Sequence, residues 1–152
     1  MDKEKVFKIW THATKEKIEV WRQNLIHNGV KSNLDFTLDS LQWVEEYLLK
    51  NYTIDCLKDQ SYYQELDRIV SYIGETIKKL MTNSTWKIFL DDSSNLYYGL
   101  PTILTKYSGA ISPHFLIREI LTLKTNDVLI TRIQKAQSYE KLIYDQLKKN
   151  KL

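Results

Sequence analysis

The feature that most constrains this chain is an apolar stripe between residues 62 and 81. Large apolar side chains recur there at intervals of three and four, which places them on one face of an α-helix with 3.6 residues per turn. They are Tyr62, Leu66, Ile69, Val70, Ile73, Ile77, Leu80 and Met81. Because a helix with one apolar face is stable only when that face is covered, the stripe predicts a helix on which other elements pack.

Further helices are predicted on both sides of this stripe. They run from Val6 to Leu25, from Thr37 past Leu48, from Ser112-Pro113 past Leu121, and from about Asp127 to Lys149. Thr37 and Ser112 can each accept a hydrogen bond from a free amide of the first helical turn, and proline is favoured directly after such a cap. Gly29 provides a left-handed stop for the first helix.

The segment that follows the stripe changes its period to two, which is the spacing of a β-strand. Trp86, Ile88 and Leu90 share one face there, and the polar cluster at 91–95 is typical of a turn. A second strand is expected to return over Leu96 to Gly99. After Pro101, the β-branched segment from Thr102 to Tyr107 predicts a third strand.

These patterns together predict a mainly helical α+β fold. It has about three N-terminal helices, a small antiparallel β-hairpin or meander at about 85–107, and two C-terminal helices. The chain contains no repeat and no linker long enough to divide it. We therefore expect a single domain over residues 1–152, which is an ordinary domain size.

Charge is distributed unevenly along the chain. The formal net charge is +3. Residues 33–67 contain 2 Lys and Arg against 8 Asp and Glu, whereas residues 93–152 contain 9 against 4. This pattern indicates an acidic segment between basic ends, and each could attract a partner of the opposite charge.

The cysteine content and the lack of long apolar runs favour the cytoplasm. Cys56 is the only cysteine, so no intramolecular disulfide can form. The N-terminal residues are interrupted by charges and do not resemble a signal peptide. No apolar run approaches the roughly 20 residues of a membrane span, so we expect no membrane association.

No catalytic, cofactor or metal site is predicted. His12 and His27 are too far apart on one helix to share an ion, and no histidine or cysteine has metal-ligand spacing. Cys56 follows Asp55, whose charge disfavours a thiolate. Four glycines cannot form the known phosphate loops. An enzyme remains an alternative only if Glu75 or His114 lines a pocket with a second polar group.

Gly74 and Glu75 are predicted to have structural roles with Trp86. A glycine inside a long helix costs about 1 kcal/mol relative to alanine, so Gly74 predicts the close approach of a backbone or an aromatic ring. Glu75 has two interpretations: an exposed i,i+4 pair with Lys79, or hydrogen bonds to loop amides near the sheet.

The order of these short motifs resembles small bacterial domains of unknown function in which a Gly-Glu pair precedes a Trp-led hairpin. Leu34-Asp35, Ile73-Gly74-Glu75, Trp86, Gly99-Leu100-Pro101 and Ser112-Pro113 carry the resemblance, which covers about residues 34–133. The resemblance implies helices around a hairpin and no particular chemistry. Some proteins of this size and composition are immunity proteins for bacterial toxins.

The expected function is a bacterial, cytosolic, non-enzymatic module that binds another protein, with toxin neutralisation as its most concrete form. Its candidate surface consists of Asp55, Asp59, Glu65, Asp67, Tyr97 and Tyr98. The alternative is a domain that binds a small ligand or nucleic acid through the basic ends. Nucleic-acid binding is the weaker half of that alternative, because aromatic residues do not interleave with the basic ones on the same face.

Overall fold

The apolar stripe forms the central helix of the computed structural model, which describes residues 2–151. The α-helices are α1 (Lys3–His12), α2 (Thr14–His27), α3 (Leu38–Asn51), α4 (Tyr63–Leu80), α5 (Pro113–Leu123) and α6 (Val128–Asn150). The strands are β1 (Thr85–Lys87), β2 (Thr102–Leu104) and β3 (Ala110–Ile111), and two 3-10 turns (Ile54–Lys58, Gln60–Tyr62) connect α3 to α4. The predicted mainly helical α+β fold is confirmed.

Helix α4 lies at the centre of the core. Nine of its residues are buried, because α2 packs along one side while β2 and α5 contact the other. Ile69, Ile73 and Ile77 have no measurable solvent exposure. Complete burial of such a side chain is worth about 1.5–3 kcal/mol, so this one helix organises much of the stability of the fold.

A buried hydrogen-bond network joins α4 to the start of α3. The Tyr72 hydroxyl donates to Ser40 Oγ (2.6 Å) and accepts from the amide of Phe36 (2.9 Å). Thr37 caps α3 as predicted, since its hydroxyl accepts from the Ser40 amide (3.2 Å). These bonds leave the Tyr72 hydroxyl satisfied inside the core, where an unpaired polar group would be costly.

The first predicted helix is two helices instead of one. At Ala13 the amide bonds to the carbonyl of Trp10, three residues back, which tightens the turn and ends α1. The hydroxyl of Thr14 donates to the carbonyl of Thr11 (3.1 Å) and to Glu75 Oε1 (2.9 Å), which fixes the start of α2 against α4. The change of direction lets α1 lie against α4 through Trp10.

The three strands form an antiparallel sheet in the order β1-β2-β3, with Trp86 opposite Ile103 and Ile103 opposite Ile111. The predicted return strand over residues 96–99 is wrong. Asp92 Oδ1 accepts from the Ser94 amide and Asn95 Oδ1 accepts from the Tyr97 amide, each at 2.9 Å. Such side-chain bonds to the backbone favour turns over a strand ladder, so residues 88–101 form a loop.

The N-terminus of α6 is capped by a residue from α3. Glu45 accepts hydrogen bonds from the amides of Val128 (3.0 Å) and Leu129 (2.6 Å). The adjacent Asp127 does not cap α6 with its side chain. Burial raises the pKa of Glu45, although the two amide hydrogen bonds oppose this shift. A buried carboxylate therefore joins α3 to α6.

Candidate ligand cleft

A cleft of about 710 Å³ lies between the first half of α4 and the first half of α5. We call it the α4–α5 cleft. Its apolar lining residues are Leu57, Leu66, Val70, Leu96, Leu100, Phe115 and Ile117, and its polar ones are Tyr63, Gln64, Asp67, His114 and Arg118. Clefts of about 300–1,000 Å³ with mostly apolar walls and few polar groups are typical of small-molecule sites.

The cap of α5 positions His114 in this cleft. Ser112 Oγ accepts from the amide of Phe115 (3.3 Å), and Pro113 occupies the first helical position. His114 therefore lies in the first turn of α5, one residue before Phe115. The loop that contains Leu96 and Leu100 forms another wall of the cleft. The helix start predicted from Ser112-Pro113 thus brings an imidazole into an apolar wall.

The imidazole of His114 contains an unsatisfied polar atom. Its Nδ1 is closed to solvent and has no hydrogen-bond partner. Burial lowers the pKa of His114 from its ordinary value, whereas the carboxylate of Asp67 and the carbonyl of Pro101 act in the opposite direction. The ring is therefore neutral at pH 7, with one N–H and one lone-pair nitrogen. Buried polar atoms in proteins are nearly always paired.

Asp67 connects the edge of the cleft to α1 and α2. Its Oδ1 accepts from Trp10 Nε1 (2.8 Å), and its Oδ2 lies 2.7 Å from Lys17 Nζ. Lys17 also lies over the Trp10 ring, 4.4 Å from its centroid. No hydrogen bond joins Asp67 to His114 among the described residues, so Asp67 acts on the ring through its charge and not as the aspartate of a catalytic triad does.

The condition set for the enzyme alternative is met here, because His114 lines the cleft together with Asp67 and Arg118. Within residues 2–151 the lining nevertheless includes no serine, threonine or cysteine that His114 could activate as a nucleophile. Elsewhere in the described range, no three His, Cys, Asp or Glu side chains come together as metal ligands do. The arrangement can hold an apolar molecule against a wall that contains the imidazole of His114.

The carboxylates of the predicted acidic surface differ in their surroundings. Asp55 and Asp59 are exposed on the turns before α4. Glu65 is partly buried and accepts from the hydroxyls of Tyr47 (3.1 Å) and Tyr52. Burial, with Glu65 nearby, raises the pKa of Tyr47 to about 12 and raises the pKa of Tyr52 further. Glu65, like Asp67, has partners within the chain.

The two adjacent tyrosines do not form opposite faces of a strand. Tyr97 packs edge-on against Phe115, with ring centroids 5.2 Å apart. The hydroxyl of Tyr98 accepts from Lys3 Nζ (3.3 Å), and this ammonium lies 4.9 Å from the ring centroid. Tyr97 therefore lies near the cleft, while Tyr98 contacts α1.

The ring of Trp86 covers Gly74, and its Nε1 donates to Glu75 Oε1 (2.9 Å). Glu75 also accepts from Thr14, and its Oε2 lies 3.7 Å from Lys78 Nζ. Neither sequence-based interpretation of Glu75 describes this arrangement, because its partners are side chains of α2, α4 and β1. Lys79, expected as its partner, lies 3.9 Å above the ring of Phe36.

Sequence reasoning did not predict the cleft. Its walls come from four segments whose apolar residues each fit an ordinary core pattern. The one available signal was His114, which directly follows the Ser112-Pro113 helix start. A histidine in the first turn of an otherwise apolar helix face places a polar ring where an aliphatic side chain would normally pack.

Comparison with known proteins gives no further guide to the site: no protein-family model, curated protein or solved structure matches this chain. Across residues 2–151, none of the helices has the length and apolar character needed to cross a membrane.

Proposed function

We propose that this protein binds a small, mainly apolar molecule in the α4–α5 cleft. The observation that carries the proposal is an apolar cleft of about 710 Å³ whose wall contains a neutral histidine with an unpaired, buried nitrogen. Convergence of an apolar cavity, a polar group and a shifted pKa is the usual mark of a ligand site.

The expected affinity is modest. A ligand that buries about 250 Å² of apolar surface gains roughly 6 kcal/mol at 25 cal/mol per Å². Loss of translational and rotational freedom removes several kcal/mol of that gain. A compound of one or two rings is therefore expected to bind with a Kd of about 1 mM or weaker unless specific polar contacts add to its affinity.

The test is a titration of the protein with indole, followed by amide chemical shifts in NMR. The shifts should concentrate at Leu66, Val70 and Ile117, which line the cleft. Leu100→Trp fills the space beside the loop wall and should weaken binding at least tenfold. Leu123→Trp is the matched control, because Leu123 lies on α5 outside the cleft and is exposed. Equal binding to both variants would refute the proposal.

A second function, protein binding, is favoured by the outer half of α6. Four of its large apolar side chains are 44–56% exposed: Tyr139, Leu142, Tyr144 and Leu147. Lys141, Lys148 and Lys149 lie on the same half of the helix. Exposed aromatic and aliphatic groups flanked by positive charge fit a partner with an acidic, partly apolar surface. Toxin neutralisation, expected from the sequence, is one form of this second proposal.

Three proteins test the second function: the wild-type chain, the double variant Leu142→Asp/Leu147→Asp, and Ile26→Asp. Ile26 is a control of similar exposure on α2. We expect the wild-type chain and Ile26→Asp to retain one acidic protein that the double variant does not retain. Added salt should weaken this retention. Equal capture by all three proteins would assign the contact to another surface.

A further inference from the structure

We infer that the ligand of the α4–α5 cleft is an amphipathic carboxylate, whose apolar part occupies the cleft and whose anionic end reaches Arg118 and Arg132 in a neighbouring groove. This inference rests on the proposed function and names the ligand class of the same site. It depends on the position of the groove beside the cleft, on the two guanidinium groups in the groove and on the charges of both cavities.

A second cavity, of about 440 Å³, adjoins the cleft between α5, β3 and the first half of α6. We call it the α5–α6 groove. Phe115 and Arg118 line both the cleft and the groove. These residues are three positions apart on α5, so their side chains are neighbours on one face of the helix and form the boundary between the two cavities. A ligand longer than one ring can therefore extend from the cleft across this boundary into the groove.

The groove has an apolar floor and a polar rim. Ile111 and Leu116 line it and are buried, whereas Arg118, Glu119 and Thr122 line it and are exposed. A short methylene arm on a ligand could contact the apolar floor while its charged end stays at the rim, where water still reaches it. The anionic end then keeps part of its hydration, which limits the cost of binding a charge.

The guanidinium groups of Arg118 and Arg132 have no partner within residues 2–151. In this range the cations that form ion pairs are Lys17, Arg22 and Lys78. Arg132 is partly buried even though it is unpaired. A guanidinium group presents parallel N–H donors that match the two oxygens of a carboxylate. A ligand carboxylate would therefore provide an acceptor that the described chain does not.

The charges of the two cavities direct the anionic end toward the groove. The acidic residue of the cleft lining is Asp67, which pairs with Lys17 of α2. A ligand carboxylate held against the apolar walls beside it would lose hydration and meet a like charge. The groove lining contains two arginines and one acidic residue, Glu119, so its net charge is positive. The same lining pattern gives the ligand one orientation, with its apolar part on the side of α4.

A matched pair of ligands tests the inference: indole-3-butyrate and indole-3-butyramide, which share the ring and the arm and differ in the charge of the end. In an NMR titration at pH 7.5 and about 20 mM salt, the butyrate should bind about fivefold more tightly, as expected for an ion pair at a partly exposed site. Salt at about 0.5 M should reduce this preference to below about twofold. Indole alone should shift only cleft amides, whereas the butyrate should also shift those of Ile111 and Thr122.

Two double variants separate a specific contact from a general effect of charge. Arg118→Gln/Arg132→Gln should reduce the preference to below about twofold at low salt and leave the affinity for the butyramide unchanged, which shows that the cleft is intact. Lys135→Gln/Lys148→Gln removes the same charge from exposed positions of α6 outside the groove. This control should keep the wild-type preference.

The outcomes distinguish failure of the inference from failure of the proposed function. If indole and the butyramide bind but the butyrate binds no more tightly, or if both double variants keep the same preference, the inference is overturned and the proposed function stands. If none of the three compounds binds, the proposed function fails and the inference fails with it.

Discussion

The indole of Trp86 lies so close to Gly74 that the helix has no room for a side chain at this position. A Cβ on Gly74 would overlap two carbons of the ring and lie 2.9 Å from a third, Cζ3. Gly74 is buried in α4 and Trp86 begins the sheet, so this contact determines how closely the sheet approaches the central helix.

Gly74→Ala should therefore destabilise the protein. Overpacking a buried site costs about 1–3 kcal/mol, which exceeds the gain of about 1 kcal/mol from replacing a helical glycine. We expect a net loss of up to about 2 kcal/mol in urea denaturation. In the Trp86→Leu background the same change should be neutral or stabilising, because the obstructing ring is absent. A loss of equal size in both backgrounds would contradict this explanation.

Removal of the Glu75 carboxylate should leave Trp86 Nε1 without an acceptor and leave the Thr14 hydroxyl with only the carbonyl of Thr11. Thr14 Oγ1 and Trp86 Nε1 both donate to Glu75 Oε1 at 2.9 Å. Glu75→Ala should lower the free energy of unfolding by about 2 kcal/mol, and Glu75→Gln, which keeps the acceptor oxygen, by less than half of that. Glu16→Ala, at an exposed position of α2, should change stability by less than about 0.5 kcal/mol. Equal losses in Glu75→Ala and Glu75→Gln would refute the role of the oxygen.

His114 should make the protein less stable in mild acid. Its folded pKa is below the ordinary value because the ring is buried, so the unfolded chain binds the proton more strongly. The stability contributed by the neutral ring is complete above the unfolded pKa of about 6.5 and is lost as pH falls toward the folded pKa. Urea denaturation between pH 7.5 and 5 should show this loss in the wild-type protein. His114→Phe should reduce it, whereas His27→Phe should not.

Glu45 should have the opposite pH dependence. Its folded pKa is raised from 4.5, chiefly by burial, so its contribution to stability is complete below the unfolded pKa and is lost as pH rises through the folded pKa. Glu45→Ala leaves the amides of Val128 and Leu129 without acceptors and should cost about 2–3 kcal/mol. Hydrogen exchange should quicken at these two amides more than elsewhere in α6. Glu46→Ala, at the exposed neighbouring position, is the control.

The parts of the fold that depend on local patterns were predictable. The period of α4, the caps Thr37 and Ser112, and the positive φ of Gly29 follow from nearest-neighbour chemistry and are present in the structure. The missing strand at 96–99 is different. The sequence does not show whether the side chains of Asp92 and Asn95 accept hydrogen bonds from the amides of their own turns or leave those amides free to pair with a neighbouring strand.

The cleft depends on contacts that no local pattern reveals. Leu57, Leu100 and His114 are distant in sequence and line one cleft only because the turn before α4, the loop before β2 and the start of α5 come together in the fold. The cap of α6 is similar, since Glu45 precedes the amides it binds by more than eighty residues. The close contact between Gly74 and Trp86 was partly predictable. The glycine indicated that a bulky group lies close to α4, but it did not indicate which residue provides that group.

The attachment of α1 by Trp10 has a consequence for motion. None of the residues Lys3–His12 is buried, and the helix is fastened through the Trp10 contacts with Asp67 and Trp86. Few buried contacts mean a low free energy of local opening, so α1 is expected to detach and rebind while the core stays folded. Each detachment removes the Trp10 hydrogen bond from Asp67 at the edge of the cleft, which links the electrostatic environment of the cleft to the position of α1.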